Sequence, residues 1–416
     1  MTMKPVAVPD GPPPRSAWTL GMPLVAGAVL AAFWLHSTFG SDETNYEDFA
    51  LGENTLAVYA DYQGDLIHGQ DHTNVDKVLA GWKRRGERPV GLMLGNSQIH
   101  GINQYAPGQE NVPPLLFKRC LPRGMDVLTF TQPSASLQEH YILFEYLRQR
   151  FPLRFLVLPT VFINQRNIDI RASVAASLSD KETRAALEES AVGRHLVALH
   201  GAEVESEAEA DANLAGVRET TAERSERALN TWLDKRWSLW RARPQERGYV
   251  VTELSRVRNT LLGISGESKR GIVPAAYEAN LEALAAILTS AHKHGIAVLV
   301  YITPIRRDIE PPYFADEYDK FCQDVEHVAA EHHAYFANYG GLVPDKFYGT
   351  HDSMVFGQRV QPDFFHFQAE AHTILAQAIG DRIEQDLLKQ PQPASDSASQ
   401  HLEPDPHSPS RLPAGP

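Results

Sequence analysis

Residues 90–103 read "VGLMLGNSQIHGIN". An apolar run stops abruptly at Gly95-Asn96-Ser97, and polar, turn-prone residues follow. A short apolar run of this length is expected of a strand buried on both faces. Its sudden end has two readings. In one, a strand simply reaches the surface and turns. In the other, a strand delivers a nucleophile, Ser97, to the edge of a sheet.

Other segments set the frame for that strand. Further strand candidates lie at 125–131, 155–159, 297–303 and 334–338, each short, apolar and often β-branched. Helical patterns fall between them. "SLQEHYILFEYLRQRF" opens with Ser136 and Glu139, a capping-box pair. "YEANLEALAAILTSAHKHG" ends at Gly295, a good C-cap. "EYDKFCQDVEHVAAEHH" and "AEAHTILAQAIGDRIEQDLL" carry the same periodicity. This alternation predicts an α/β layered fold with a largely parallel sheet. Residues 171–270 interrupt it. They are rich in Glu, Ala, Arg and Ser, and "DKETRAALEESAVGRHLVALH" and "RETTAERSERALNTWLDKRWSLW" read as helices with one apolar stripe. The block is expected to be a helical insertion that covers the sheet edge. A substrate lid or a docking surface is the other reading.

The termini carry a different signal. Residues 17–35, "AWTLGMPLVAGAVLAAFWL", contain no charge, close to the roughly 20 apolar residues that cross a bilayer. Lys4 and Arg15 precede them, and Asp42, Glu43, Glu47 and Asp48 follow. The basic residues predict a cytoplasmic N-terminus. Thr38-Phe39-Gly40 is a poor cleavage site, so 17–37 reads as an uncleaved anchor rather than a signal peptide. The expected organisation is a disordered tail at 1–16, the anchor, a lead-in over 38–88, a main domain over 89–389 and a disordered tail at 390–416. The single-pass anchor places the main domain on the extracytoplasmic side of the inner membrane. The net charge of −13 argues against general nucleic-acid binding. Two cysteines, Cys120 and Cys322, exclude a cysteine-built zinc cluster and leave one disulfide open.

The segment "QPDFFHFQAEAHTILAQAI", residues 361–379, supplies what Ser97 lacks. Asp363 and His366 stand three residues apart, just before an amphipathic helix, on a loop or first turn. An imidazole that takes a proton from a serine needs a carboxylate to fix its tautomer. Asp363 suits that task for His366, and His366 for Ser97.

These blocks resemble the SGNH (GDSL-type) hydrolases. "LGNSQ" is similar to the family's nucleophile block, with Asn96 where Asp is usual, and "DFFHFQAEAHTILAQAI" is similar to its last block. The resemblance covers roughly 88–388 apart from the insertion. It implies a three-layer, flavodoxin-like fold and a serine acyl-ester activity without cofactor or metal. The anchor and "GIAVLVYITPIRR" also resemble the DltD-like subgroup, whose members work beside membrane-bound O-acyltransferases on cell-envelope polymers. The implied substrate is an acyl ester of a cell-surface glycan. A hydrolase of small or lipid esters and a non-catalytic assembly partner are the alternatives.

The middle blocks depart from the family. The loop "TQPSAS", 131–136, has no glycine for an oxyanion hole, so the main-chain N–H of Ser134, Ala135 or Ser136 is the candidate donor. The N-terminus of the next helix favours an anion there. "LPTVFINQRN" offers Asn164 as the oxyanion asparagine, with Asn167 second. "HGQDH", with His68 and His72, has metal-like spacing but no third ligand. "THDSM", with His351 and Asp352, is a rival His–Asp pair ranked below His366, and Arg306 and Arg307 stand at a strand end where contact with an anionic polymer and plain solvation are the two readings.

Overall fold

The computed structural model describes residues 60–70, 72–102, 105–106, 108–201, 256–257, 259–261, 268–352 and 360–389. The expected N-terminal tail and anchor, residues 38–59 of the lead-in, the second insertion helix and the C-terminal tail lie outside them. Among the described residues no helix is long and apolar enough to cross a membrane.

A small antiparallel pair, β1 (Asp61–Tyr62) and β2 (Asp65–Leu66), leads into the main sheet. Its strands are β3 (His68–Gly69), β4 (Val90–Gly95), β5 (Asp126–Thr131), β6 (Leu153–Thr160), β7 (Ala297–Ile302) and β8 (Tyr335–Asn338). All pairings are parallel, in the order β3-β5-β4-β6-β7-β8. Every expected strand is present. β3 escaped the sequence reading, because two residues are too few to show a period. Counting from β4, the strand order is the 2-1-3-4-5 of doubly wound flavodoxin-like sheets.

The sheet is buried on both faces. Successive side chains alternate sides, so Leu92 and Leu94 enter one core and Met93 the other. Helices α1 (His72–Arg84), α3 (Leu137–Arg148), α6 (Pro274–Lys293) and α7 (Ala315–Glu331) pack on the first face. Helices α2 (Val112–Cys120) and α8 (Ala369–Arg382) cover the second. Gly91 lets β6 approach: a Cβ there would lie 2.1 Å from Cζ of Phe155. The capping box of α3 forms as expected, and α6 stops at left-handed Gly295.

Cys120 packs in one core and Cys322 against the other, so the sheet separates two free thiols and the disulfide left open by the sequence does not form. One helix expectation needs correction. Residues 180–200 are not one helix: α5 (Lys181–Leu187) ends, and a second helical stretch begins at 191. The Ser190 hydroxyl accepts the Gly193 N–H at 2.8 Å across that break. The described part of the insertion packs beside α3. With the short α4 (Ala172–Ala175), it buries Val174, Leu178, Leu187 and Leu196 in the core beside α3.

The chain's last strands form a separate antiparallel hairpin, β9 (Tyr348–Asp352) with β10 (Val360–Phe367). Asp363 and His366 therefore sit on a strand rather than on the expected loop. Residues three apart in a regular strand face opposite sides. Here β10 runs from Pro362 to Phe367 while β9 moves only from Thr350 to Tyr348. That register break spans Asp363 to His366 and turns both side chains toward each other.

Candidate active site

β4 ends at Gly95, where a Cβ would lie 2.6 Å from the Thr131 methyl. Asn96 then caps a single 3-10 turn, Ser97–Ile99, its side-chain oxygen accepting the Gln98 N–H at 2.9 Å. This sharp turn leaves Ser97 just past the carboxyl end of β4. The neighbours of β4 on either side, β5 and β6, follow it in sequence, so Ser97 stands where the strand order reverses. Open α/β sheets bind ligands at that switch point.

Ser97 Oγ is 2.9 Å from His366 Nε2, and His366 Nδ1 is 2.9 Å from Asp363 Oδ2. The second carboxylate oxygen, Oδ1, accepts the backbone N–H groups of Phe365 and His366, both at 2.8 Å. Burial by itself would raise the Asp363 pKa. The charge and hydrogen bond of His366, the charge of His351 and the His366 N–H outweigh it, and the carboxyl lies far below its ordinary range. An ionised Asp363 accepts the Nδ1 proton, which leaves Nε2 of a neutral imidazole as the acceptor for the serine hydroxyl.

Gln98 binds this assembly together. Its Nε2 donates to the carbonyls of Pro304 and Phe365, each at 2.8 Å. Pro304 follows β7 and Phe365 adjoins His366, so one buried amide joins the serine turn to the histidine strand. The sequence shows Gln98 only as a polar neighbour of Ser97.

The three candidate main-chain donors differ. Residues 132–135 form a β-turn closed by the Ala135 N–H on the Gln132 carbonyl at 3.3 Å. Pro133 occupies its second position, and Ser134, with φ +50°, its third. This is the type II pattern, whose third position favours glycine. The left-handed residue is thus present although the glycine is absent. The Ser136 N–H goes to Glu139 Oε2 at 3.2 Å and the Leu137 N–H to Asn280 at 2.8 Å. Side chains thus take the N–H groups of Ser136, Leu137 and Glu139 at the start of α3. Among the described residues, only Ser134 of the three has its N–H outside these bonds. The Gln132 N–H bonds the Gly95 carbonyl at 3.1 Å, which sets this turn beside the serine turn. From the other side, Asn164 Nδ2 reaches the Ala135 carbonyl at 2.9 Å. Asn280 takes up Asn167 instead, through its backbone carbonyl.

Buried imidazoles surround the site. Thr131 Oγ1 meets Nε2 of both His68, at 2.6 Å, and His100. One hydroxyl proton serves only one of them, so at least one ring carries its proton on Nε2 and donates to Thr131. His140 donates to the Gly95 carbonyl, and His372 accepts the Val112 N–H. Burial pushes His68 well down, His100 and His140 to about 4 and His372 to about 3. His68 thus belongs to this network, and among the described residues no cluster of His, Cys, Asp or Glu is arranged to hold a metal. His351 lies on β9 opposite Gln361. Arg306 pairs with Asp308 at 2.6 Å, and the Arg307 backbone bonds Asp345.

No protein-family model matches the chain, and no curated protein matches it. Among solved structures it is similar to an acetylxylan esterase from Geobacillus stearothermophilus, with 9% identity and a TM-score of 0.33, over 72% of this chain and 95% of that one. TesA is 12% identical with a TM-score of 0.32, over 71% and 98% of the two chains. A GDSL-like lipase from Parabacteroides merdae is 10% identical with a TM-score of 0.33, over 70% and 93%. Likenesses at this level assign neither a substrate nor a reaction to this chain.

Proposed function

We propose that the protein is a serine-dependent acyl-ester enzyme of the SGNH type. The hydrogen-bonded chain Ser97–His366–Asp363 carries this reading. Ser97 Oγ attacks an ester carbonyl while His366 Nε2 takes its proton, and Asp363 stabilises the imidazolium. The Ser134 N–H and the second Asn164 amide hydrogen serve the oxyanion. His366 returns the proton to the departing alcohol, and the acyl group stays on Ser97. Water or a sugar hydroxyl, deprotonated by His366, then takes the acyl group. The ordered serine, histidine and carboxylate weigh against a non-catalytic assembly role.

The substrate class and location extend this proposal. Residues 17–37 hold the chain in the inner membrane with the enzyme on the extracytoplasmic side, the acyl acceptor is a cell-envelope glycan, and a membrane-bound O-acyltransferase is the partner. The uncharged apolar segment with its basic N-terminal flank supports the tether. The deciding experiment treats the membrane-extracted full chain with a fluorophosphonate and with p-nitrophenyl acetate. Wild type should be labelled and turn the ester over, and Ser97→Ala should do neither. Wild type inert to both probes would return the chain to the assembly-partner reading.

A further inference from the structure

We propose that Arg171, carried by the first residues of the insertion, is a positioning residue that locks the peptide presenting the Ser134 N–H. This rests on the serine-enzyme reading above. Arg171 Nη2 donates to the Pro133 carbonyl, and Nη1 bonds Glu139 Oε2 at 2.8 Å. The Arg171 backbone N–H bonds Glu139 Oε1 at 3.0 Å. Glu139 is itself 1% exposed and fixed by the Ser136 capping box. Glu139 therefore holds Arg171 by both its backbone and its guanidinium, and the other arm of the fork reaches Pro133.

The Pro133 carbonyl and the Ser134 N–H belong to one planar trans peptide, so they point in opposite directions. Holding the oxygen on Arg171 fixes where the N–H points. That hold has a task. A type II turn and a type I turn differ chiefly by a flip of this central peptide, and a non-glycine third residue disfavours type II. Ser134 therefore pulls the turn toward the flipped form, in which its N–H faces elsewhere. Arg171 opposes the flip with a charge-assisted bond to the one oxygen that must move. Asn164 adds a second restraint on the Ala135 carbonyl. A glycine at 134 would hold the turn unaided, so the clamp compensates for the missing glycine.

The test compares wild type, Arg171→Ala, Arg171→Lys and Arg171→Ala/Ser134→Gly in the full chain, with p-nitrophenyl acetate and fluorophosphonate as probes. Arg171→Ala should lower kcat at least about tenfold, short of the roughly 10²–10³ lost with a whole oxyanion donor. KM should stay within about twofold, since the donor acts in the transition state. Adding Ser134→Gly should recover most of the lost kcat, which repair of a general folding defect would not do. Arg171→Lys, a point charge that cannot bridge two acceptors as a fork does, should fall between. If Arg171→Ala does not fold, Arg171→Lys with and without Ser134→Gly gives the same comparison. A kcat unchanged in Arg171→Ala, or a loss that Ser134→Gly leaves untouched, overturns the clamp alone. A wild type with neither adduct nor turnover overturns the serine-enzyme reading and the clamp with it.

Discussion

Gln98 donates to the Phe365 carbonyl at 2.8 Å, so the residue after the serine holds the residue before the histidine. The distance between Ser97 and His366 is set by this bond as much as by the side chains themselves. Its partner bond to Pro304 anchors both to the end of β7.

Removing that amide should loosen the fold and the site together. Gln98→Leu leaves two carbonyls without their donor, a cost of about 1–3 kcal/mol per orphaned group. Gln98→Glu should be worse, because a carboxylate sets more acceptors against those carbonyls. Urea midpoints of both variants check the order. Equal midpoints for wild type and Gln98→Glu would exclude the bond as a fastening.

Asp363→Asn should cost about 10⁴ in kcat while leaving the fold intact. An amide N–H facing Nδ1 selects the wrong tautomer and puts the ring proton on Nε2, where Ser97 needs an acceptor. Turnover of p-nitrophenyl acetate with a folded variant measures this. A loss under tenfold would separate Asp363 from the chemistry.

Acid should destabilise the protein earlier than its carboxylates alone would require. His68, His100, His140 and His372 are neutral when folded, with pKa values held down by burial, but titrate near 6.5 when unfolded. Between these values the unfolded chain binds protons that the folded chain refuses, so stability rises with pH. It is full above about 6.5 and falls on acidification, for His100 and His140 down to about 4. Each ring contributes up to about 1.4 kcal/mol per pH unit. His140→Gln should flatten the slope by one such increment in urea titrations from pH 7 to 4.5. An unaltered slope would show that His140 is not titrating on unfolding.

Gly91→Ala should cost about 1–3 kcal/mol through overpacking against Phe155. Combining it with Phe155→Leu should give less than the sum of the two losses, since the smaller side chain makes room for the methyl. Additive losses in a thermal double-mutant cycle would refute the contact.

The parts of the fold legible in the sequence were those with a local period or a local cap. The five longer strands of the sheet announce themselves by apolar runs, Ser136 and Glu139 by their spacing, and Gly295 by its place after a helical pattern. The spacing of Asp363 and His366 suggested a pair, and the structure brings the pair to Ser97. What was hidden depends on contacts without local signature. The Thr131 hydroxyl meets rings 63 and 31 positions away. Arg171 reads as the edge of a charged insertion until the chain folds it back on Pro133. The bulge in β10 hides the hairpin, because it breaks the alternation that would have marked a strand.

Ser97 and its base are separated by 269 positions. The hairpin that carries His366 is synthesised after all six strands of the main sheet. From the emergence of β4 until that of β10 the growing chain thus possesses a serine hydroxyl with no partner to awaken it. Chemical competence comes with completion, and a chain cut short before β10 would fold much of a sheet yet remain chemically mute.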